Sequence, residues 1–286
     1  MSPSRGRHNA RLRRAMLSTL DAVLLNGFIA RWSYRFGLHG RLRVSEHEVP
    51  LPAAAGTLPR PLVLAFASDF HAGPATHPEM FSSLIDELMR LRPDVLLLGG
   101  DYVSCAAQQV NVLAEHLSRC NPPLGKYGVL GNHDLLTDDG HIVRQLEMAG
   151  VQVLVNRNCP LPYPFERVSI CGVDDPWTGN TDVAATFRGA GPVRIFLSHS
   201  PDGLLLLGRQ GFELALAGHT HGGQVALPDG TAILDAGGPL ARVYGRGRFE
   251  IAGKGPLIVS RGVGCSNLPI RINSDPELII CRLVES

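Results

Sequence analysis

The chain has 286 residues, with 44% hydrophobic and 19% charged side chains and a formal net charge of +1. That composition can build a full core, which excludes a disordered, collagenous or low-complexity chain. The near-zero balance excludes polyanion binding by bulk charge, and the length suits one α/β domain of roughly 250 residues or two smaller ones.

The charge is unevenly spread. Residues 1–40 hold seven arginines and a single acid, Asp21, a balance of +6 that leaves the rest of the chain at −5. The acidic body argues against a nucleic-acid reader, so no nucleic acid is expected as a partner. The basic arm points to an anionic surface. Within it, Ala15–Ala30 is the nearest approach to a membrane span, but it is shorter than the roughly eighteen apolar residues a span needs and contains Asp21 and Asn26. At helical spacing Met16, Leu17, Leu20, Val23, Leu24 and Phe28 share one face, and Ser18, Asp21 and Ala22 the other. Three readings stay open for this amphipathic, arginine-flanked helix. It lies in a membrane interface, it docks on the body, or, since Arg13-Arg14 precedes the apolar run, it is an export signal that lacks a small-x-small cleavage site. Residues 1–40 are read as this arm and 41–286 as the body domain. The six cysteines form no CxxC pair, which predicts buried free thiols in a reducing compartment rather than a zinc ribbon or a thioredoxin-type site.

The body opens with a β-like run, Leu42–Val49, and a Pro/Ala/Gly linker to Pro61. Five alike segments follow: Leu62–Asp69, Asp94–Asp101, Tyr127–Asp134, Arg194–Ser200 and Leu214–His221. Each is a short apolar run that ends abruptly in Asp, Asn, His or Ser, as a strand buried on both faces would. Helix-like stretches, Pro78–Leu91 and Ala106–Ser118, separate the first three, and His141–Met148 follows them. This βαβ alternation predicts parallel strands with ligands beyond their carboxyl ends, where all five polar clusters fall. Val151–Asn156, Val168–Val173, Leu257–Arg261 and Glu277–Arg282 have fewer helices between them and predict a second, more antiparallel sheet.

The clustered side chains are Asp69 and His71; Asp101; Asn132, His133 and Asp134; His199; and His219 and His221. In Asp69-Phe70-His71 and His219-Thr220-His221 the i, i+2 spacing puts both side chains on one side of an extended segment. The nitrogen and oxygen donors, with no cysteine among them, favour Mn²⁺, Fe or Zn²⁺. A carboxylate such as Asp101 can bridge two ions, and the glycines beside these residues permit close backbone approach.

The order DxH, GGD, GNHD, SHS and GHTH closely resembles the calcineurin-like metallophosphoesterases over Leu62–Gln224. GHTHGGQ (Gly218–Gln224) and SRGVGCSNLPIRI (Ser260–Ile272) resemble a bacterial, membrane-associated branch that includes a pyrophosphatase acting on UDP-2,3-diacylglucosamine in lipid A synthesis. The resemblance implies an α/β fold, a four-layer α/β/β/α sandwich of two mixed sheets with a dinuclear metal site at the strand C-terminal edge. It implies that Asp69, His71, Asp101 and His221 hold one divalent ion and Asp101, Asn132, His199 and His219 the other, Mn²⁺ before Fe or Zn²⁺. His133 is then a catalytic histidine outside the ligand set, and Asp134 the residue that orients it.

Two ions about 3.5–4 Å apart activate a water and clamp the phosphoryl oxygens for in-line attack. The expected activity is hydrolysis of a phosphodiester or pyrophosphate in a phosphorylated small molecule or lipid-linked substrate, with UDP-2,3-diacylglucosamine as the best single guess. The expected location is cytoplasmic and peripheral to the inner membrane, with export as the alternative. A soluble phosphodiesterase or phosphatase for nucleotides or phosphoproteins is the second reading, and a non-catalytic scaffold of the same fold the third. Arg261 and Arg271 are read as surface residues, with contact to a substrate phosphate as the alternative, and the histidines outside the motifs (His8, His39, His47, His77, His116 and His141) as surface residues.

Overall fold

The computed structural model describes residues 19, 23, 27–53, 56–233 and 237–285. Most of the Met16–Phe28 amphipathic segment lies outside the described residues. Helix α1 spans Phe28–Arg35, and no helix among the described residues is long and apolar enough to cross a membrane.

Two six-stranded mixed sheets carry the fold. The first contains β1 (Arg43–Leu51), β2 (Leu62–Ala67), β3 (Val95–Leu98), β4 (Lys126–Gly128), β5 (Val151–Val153) and the last strand of the chain, β12 (Glu277–Glu285). Its spatial order is β1-β12-β2-β3-β4-β5, and β2 to β5 run parallel. The second contains β6 (Arg157–Pro160), β7 (Val168–Gly172), β8 (Val193–Leu197), β9 (Leu214–Ala217), β10 (Gly247–Glu250) and β11 (Pro256–Val259), in the order β10-β11-β9-β8-β7-β6.

Strand alternation accounts for the layers. On β2, Leu62, Leu64 and Phe66 point between the sheets, where they meet Val168 and Ile170 of β7, Ile195 and Leu197 of β8, and Leu214 and Leu216 of β9 in one buried cluster. Ala65 and Ala67 point the other way, against α2 (Glu79–Leu91), α3 (Val110–Ser118) and α5 (Asp139–Met148). Helix α2 presents Met80, Phe81, Leu84, Ile85 and Leu88 as one buried stripe, the i, i+4 geometry of an amphipathic helix. On the far side of the second sheet Cys171, Phe196, Ala215 and Ala217 pack under Phe187 of the short helix α6 (Val183–Phe187). The result is the expected sandwich of helices, sheet, sheet and helices. The cysteines are free thiols, four of them buried.

The strand membership corrects the sequence reading. Val151–Val153 closes the edge of the first sheet, and Glu277–Glu285 inserts into that sheet between β1 and β2, parallel to β1 and antiparallel to β2. The centre of the second sheet, β7-β8-β9-β11, is parallel, and only the edge strands β6 and β10 are antiparallel. Parallel neighbours need a crossover, normally a recognisable helix. Here the crossovers from β7 to β8 and from β8 to β9 carry the five-residue α6 and a 3₁₀ segment at Pro201–Leu206, too short to show a helical period.

Candidate metal centre

Asp69 and His71 follow β2, Asp101 follows β3, and Asn132 and His133 open the single helical turn α4 (Asn132–Leu135) after β4. His199 follows β8, and His219 and His221 follow β9. Three clusters therefore come from one sheet and two from the other, and they meet where the carboxyl ends of both sheets converge.

The backbone is bent sharply to bring them together. Asp69 (φ 54°), His71 (φ 41°), Asp101 (φ 53°), His219 (φ 72°) and His221 (φ 53°) all occupy the left-handed region. Such conformations cost on the order of 1–3 kcal/mol each and persist where the surroundings over-determine them. Here Asp69 N–H donates to Gly100 O and His71 N–H to Asp101 O, both at 2.9 Å. The expected extended spacing of these pairs is thus replaced by left-handed turns. Two glycines permit the approach: a Cβ at Gly131 would collide with Asp101 Oδ1, and one at Gly218 with Asp69 Oδ2.

Donor atoms gather in three trios, each within 4.8 Å: Asp69, His71 and His221; Asp101, His199 and His219; and His71, Asp101 and His133. His71 Nε2 lies 3.0 Å from His221 Nε2 and 3.5 Å from Asp101 Oδ2, which is itself 3.4 Å from His199 Nε2. Asn132 Oδ1 lies 3.1 Å from His199 Nε2, and His219 Nδ1 3.3 Å from the same nitrogen. The two histidines of GHTH therefore serve opposite ends of the cluster, and Asp101 and His71 stand between them. Apart from the half-buried His133, every one of these residues is buried.

The calcineurin-like phosphoesterase profile matches residues 62–223, a span that contains all of these donors. The chain belongs to the calcineurin-like phosphoesterases. It is 29% identical over 234 residues to phosphodiesterase YaeI of Escherichia coli (strain K12), covering 78% of this chain and 83% of that protein. It is 32% identical over 228 residues to an uncharacterized metallophosphoesterase of Aquifex aeolicus (strain VF5), covering 76% and 83%. It is 29% identical over 223 residues to the uncharacterized metallophosphoesterase YkuE of Bacillus subtilis (strain 168), covering 76% and 77%. The chain is a metal-dependent phosphohydrolase of this family.

The electrostatics of the phosphoesterase site suit divalent cations. Burial, assisted by the neighbouring His133, pushes His71 down to about 3. Burial, with His71 and Arg271 nearby, holds His221 well below the usual imidazole range. Both rings are therefore neutral at neutral pH, the form that ligates. Burial works to raise Asp101, but His199, His133 and His71 outweigh it and hold the carboxylate well below its usual range. Burial lifts Asp69 to about 6 against the opposing charge of His199, with Asp101 adding to the rise. For His199 burial is overcome by Asp101 and then by Asp69 and Asp175, so its proton is held well above the usual range. Two buried carboxylates lined by imidazoles form a donor set that calls for compensating positive charge.

The orientation of His133 differs from expectation. Its Nδ1–H donates to Ser104 O at 2.7 Å, and its backbone N–H donates to Asp101 Oδ1 at 2.8 Å. Asp134 does not reach the imidazole. Its carboxylate accepts from the backbone N–H groups of Gly131 (2.9 Å), Tyr102 (2.8 Å) and Val103 (3.3 Å) and so ties two of the ligand-bearing loops together. Arg271 is likewise not at the surface. It is buried, with Nε and both terminal nitrogens donating to the carbonyls of Gly264, Arg261 and Ser274, and its Nη2 lies 3.3 Å from His221 Nδ1. Arg261 remains part-exposed and pairs with Glu277 at 3.1 Å. Among the other histidines His39 is buried, against expectation, and His8 lies outside the described residues.

Gln224 joins the two branch motifs physically. Its Nε2 donates to the carbonyls of Ser266, Leu268 and Ile270, and its Oε1 accepts from Ser266 N–H. Sequence reasoning passed over Asp175 and Trp177, which follow β7. A signal existed, because β7 is a sixth apolar strand closed by acids (Asp174-Asp175) like the other five.

Proposed function

We propose that this phosphohydrolase cleaves a phosphodiester or pyrophosphate with two divalent ions, Mn²⁺ first among them. On this reading Asp69, His71, Asp101 and His221 hold one ion, and Asp101, Asn132, His199 and His219 the other. The observation that carries it is the pair of buried trios at opposite ends of the cluster with Asp101 between them. When bound, such ions polarise phosphoryl oxygens and activate water for in-line attack. His133 supplies the proton traffic: with Nδ1–H donated to Ser104 O, its Nε2 is the atom that takes up a proton and, as the imidazolium, passes it to the departing oxygen. Arg271 acts through His221, whose ring it braces.

The substrate we favour has an amphiphilic, lipid-linked half, with UDP-2,3-diacylglucosamine as the best single example, met at a membrane surface. Helix α1 supports that choice. Its inner side docks beside the site, where Ser33 Oγ–H donates to Pro269 O, and just beyond the helix Leu38 O accepts from Arg271 N–H at 2.7 Å. Its outer side leaves Phe28, Trp32 and Phe36 exposed in an aromatic row next to Arg31 and Arg35. Aromatics with arginine suit an interface. The location we propose with this substrate is the cytoplasmic face of the inner membrane, with export as the alternative.

A substrate panel on Mn²⁺-loaded protein tests the proposal. Bis-p-nitrophenyl phosphate and UDP-2,3-diacylglucosamine should turn over and p-nitrophenyl phosphate should lag. Cleavage of the monoester alone would overturn the diester reading.

A further inference from the structure

Trp177 is held more firmly than a surface tryptophan requires. It follows β7 in the run Asp174-Asp175-Pro176-Trp177. Asp175 Oδ2 accepts from Trp177 N–H at 3.1 Å, from Thr178 N–H at 2.7 Å and from Thr178 Oγ1 at 2.8 Å, which fixes the backbone of the turn. The indole Nε1–H donates to Asp202 Oδ2 at 2.5 Å, and the other oxygen of Asp202 accepts from Leu240 N–H at 2.9 Å. Gly237 and Gly238, at φ 88° and 99°, run so close to the six-membered ring that a Cβ on either would collide with it. The ring is therefore pinned along its nitrogen edge and its benzo edge. Yet 37% of the residue stays exposed, and its ring centroid lies 4.8 Å from that of the candidate ligand His219.

A large aromatic surface held rigid and left partly bare costs hydrophobic free energy that burial would recover. Its position beside the metal donors gives it a use. A flat π-face offers little to a phosphate and much to a planar ring attached to one, because stacking needs only a second π-face. A fixed indole loses little entropy on binding.

We propose that Trp177 is a stacking platform for a nucleobase carried on the substrate, so that the preferred substrates are nucleotide esters or nucleoside diphosphate derivatives. This rests on the phosphohydrolase reading and adds a specificity residue to it.

The test compares AMP with ribose 5-phosphate, which share the ribose and the phosphate and differ in the base. Both are used as inhibitors of bis-p-nitrophenyl phosphate hydrolysis by the Mn²⁺-loaded full chain. AMP should bind about tenfold more tightly than ribose 5-phosphate, the size expected for one stacked base. Trp177→Ala should bring the two constants together without changing that of ribose 5-phosphate, and Trp177→Phe should keep most of the gap. A readout independent of turnover uses Trp32→Phe, which leaves Trp177 as the only tryptophan of the chain's two. AMP should quench its fluorescence and ribose 5-phosphate should not. Equal constants in the wild type, an equal loss for both compounds in Trp177→Ala, or no difference in quenching would each overturn the platform. Absence of any diester turnover would instead fail the proposed diester reading, and the fluorescence titration would still decide the role of Trp177.

Discussion

Asp101 has the most demanding position of any residue in the site. It is buried, takes a left-handed backbone, accepts from His133 N–H and faces His71 on one side and His199 on the other. As the proposed bridge, its loss should remove both ions. Elemental analysis after Mn²⁺ loading should give about two ions per wild-type chain and close to none for Asp101→Ala. His133 differs because its imidazole is anchored by the backbone carbonyl of Ser104, and only its backbone N–H is held by a carboxylate, that of Asp101. His133→Ala should keep its metal and lose about two to four orders of magnitude in kcat. A variant that lost its ions and regained full rate on reloading would make His133 a ligand. Asp134→Ala, which strands three backbone N–H groups, should lower unfolding stability by roughly 1–3 kcal/mol in urea. Its loss of activity should track that instability.

At the scale of elements, α1 is attached to the catalytic rim through His39. That ring is buried, with Nε2 3.0 Å from Ala75 O and Nδ1 3.2 Å from Ser33 Oγ. Burial is the main reason it is pushed from 6.5 down to about 4; the Ala75 bond opposes this, and His77 and Arg271 reinforce it. The sign follows directly. Between pH 6.5 and 4 the unfolded chain holds a proton that the folded chain lacks, so stability falls as pH falls through that window and flattens below it. At about 1.4 kcal/mol per unit the loss is on the order of 3 kcal/mol. Urea midpoints at pH 7.5 and 4.5 should converge by about that amount in His39→Gln relative to wild type. The comparison cancels the titration of the site itself. An unchanged pH slope in the variant would show that His39 is not the group responsible.

On the scale of the whole molecule, α1 is tied to the loop that carries Arg271, since its Ser33 donates to Pro269 O and Leu38, just beyond it, accepts from Arg271 N–H. If the aromatic row of α1 meets a membrane, the full chain should sediment with anionic vesicles at low salt. Binding should weaken at 1 M salt, where the Debye length has fallen from about 10 Å at 0.1 M to about 3 Å. Replacing Trp32 and Phe36 together by Ser should lower the bound fraction while leaving hydrolysis of a soluble diester intact. Full-length protein that ignored anionic vesicles would leave α1 as a docked helix and remove the support it lends to a lipid-linked substrate.

The sequence by itself determined the α/β class, the five strand ends and the Asp, Asn and His side chains that the fold gathers there, because an apolar run that stops at Asp or His records burial and a polar strand end in one local pattern. It also determined the uneven charge and the free thiols, of which four are buried and Cys105 and Cys159 half-buried. Tertiary structure decided what depends on partners far along the chain. Only folding puts β12 between β1 and β2, since pairing across more than two hundred residues leaves no periodic trace. Only folding sends His219 and His221 to opposite ends of the cluster, because left-handed turns cancel the alternation that their spacing predicts. Asp134 was read as the partner of its sequence neighbour His133, yet its oxygens are taken by backbone N–H groups of two other loops, and Ser104, twenty-nine residues upstream, takes the imidazole. Arg271 lies in the Ser260–Ile272 motif and Trp177 just after the acids that close β7, but neither position reveals what its side chain meets. Their roles come from the carbonyls, carboxylates and glycines that the two sheets bring around them, and hydrogen-bond geometry of that kind is fixed in space and not by spacing along the chain.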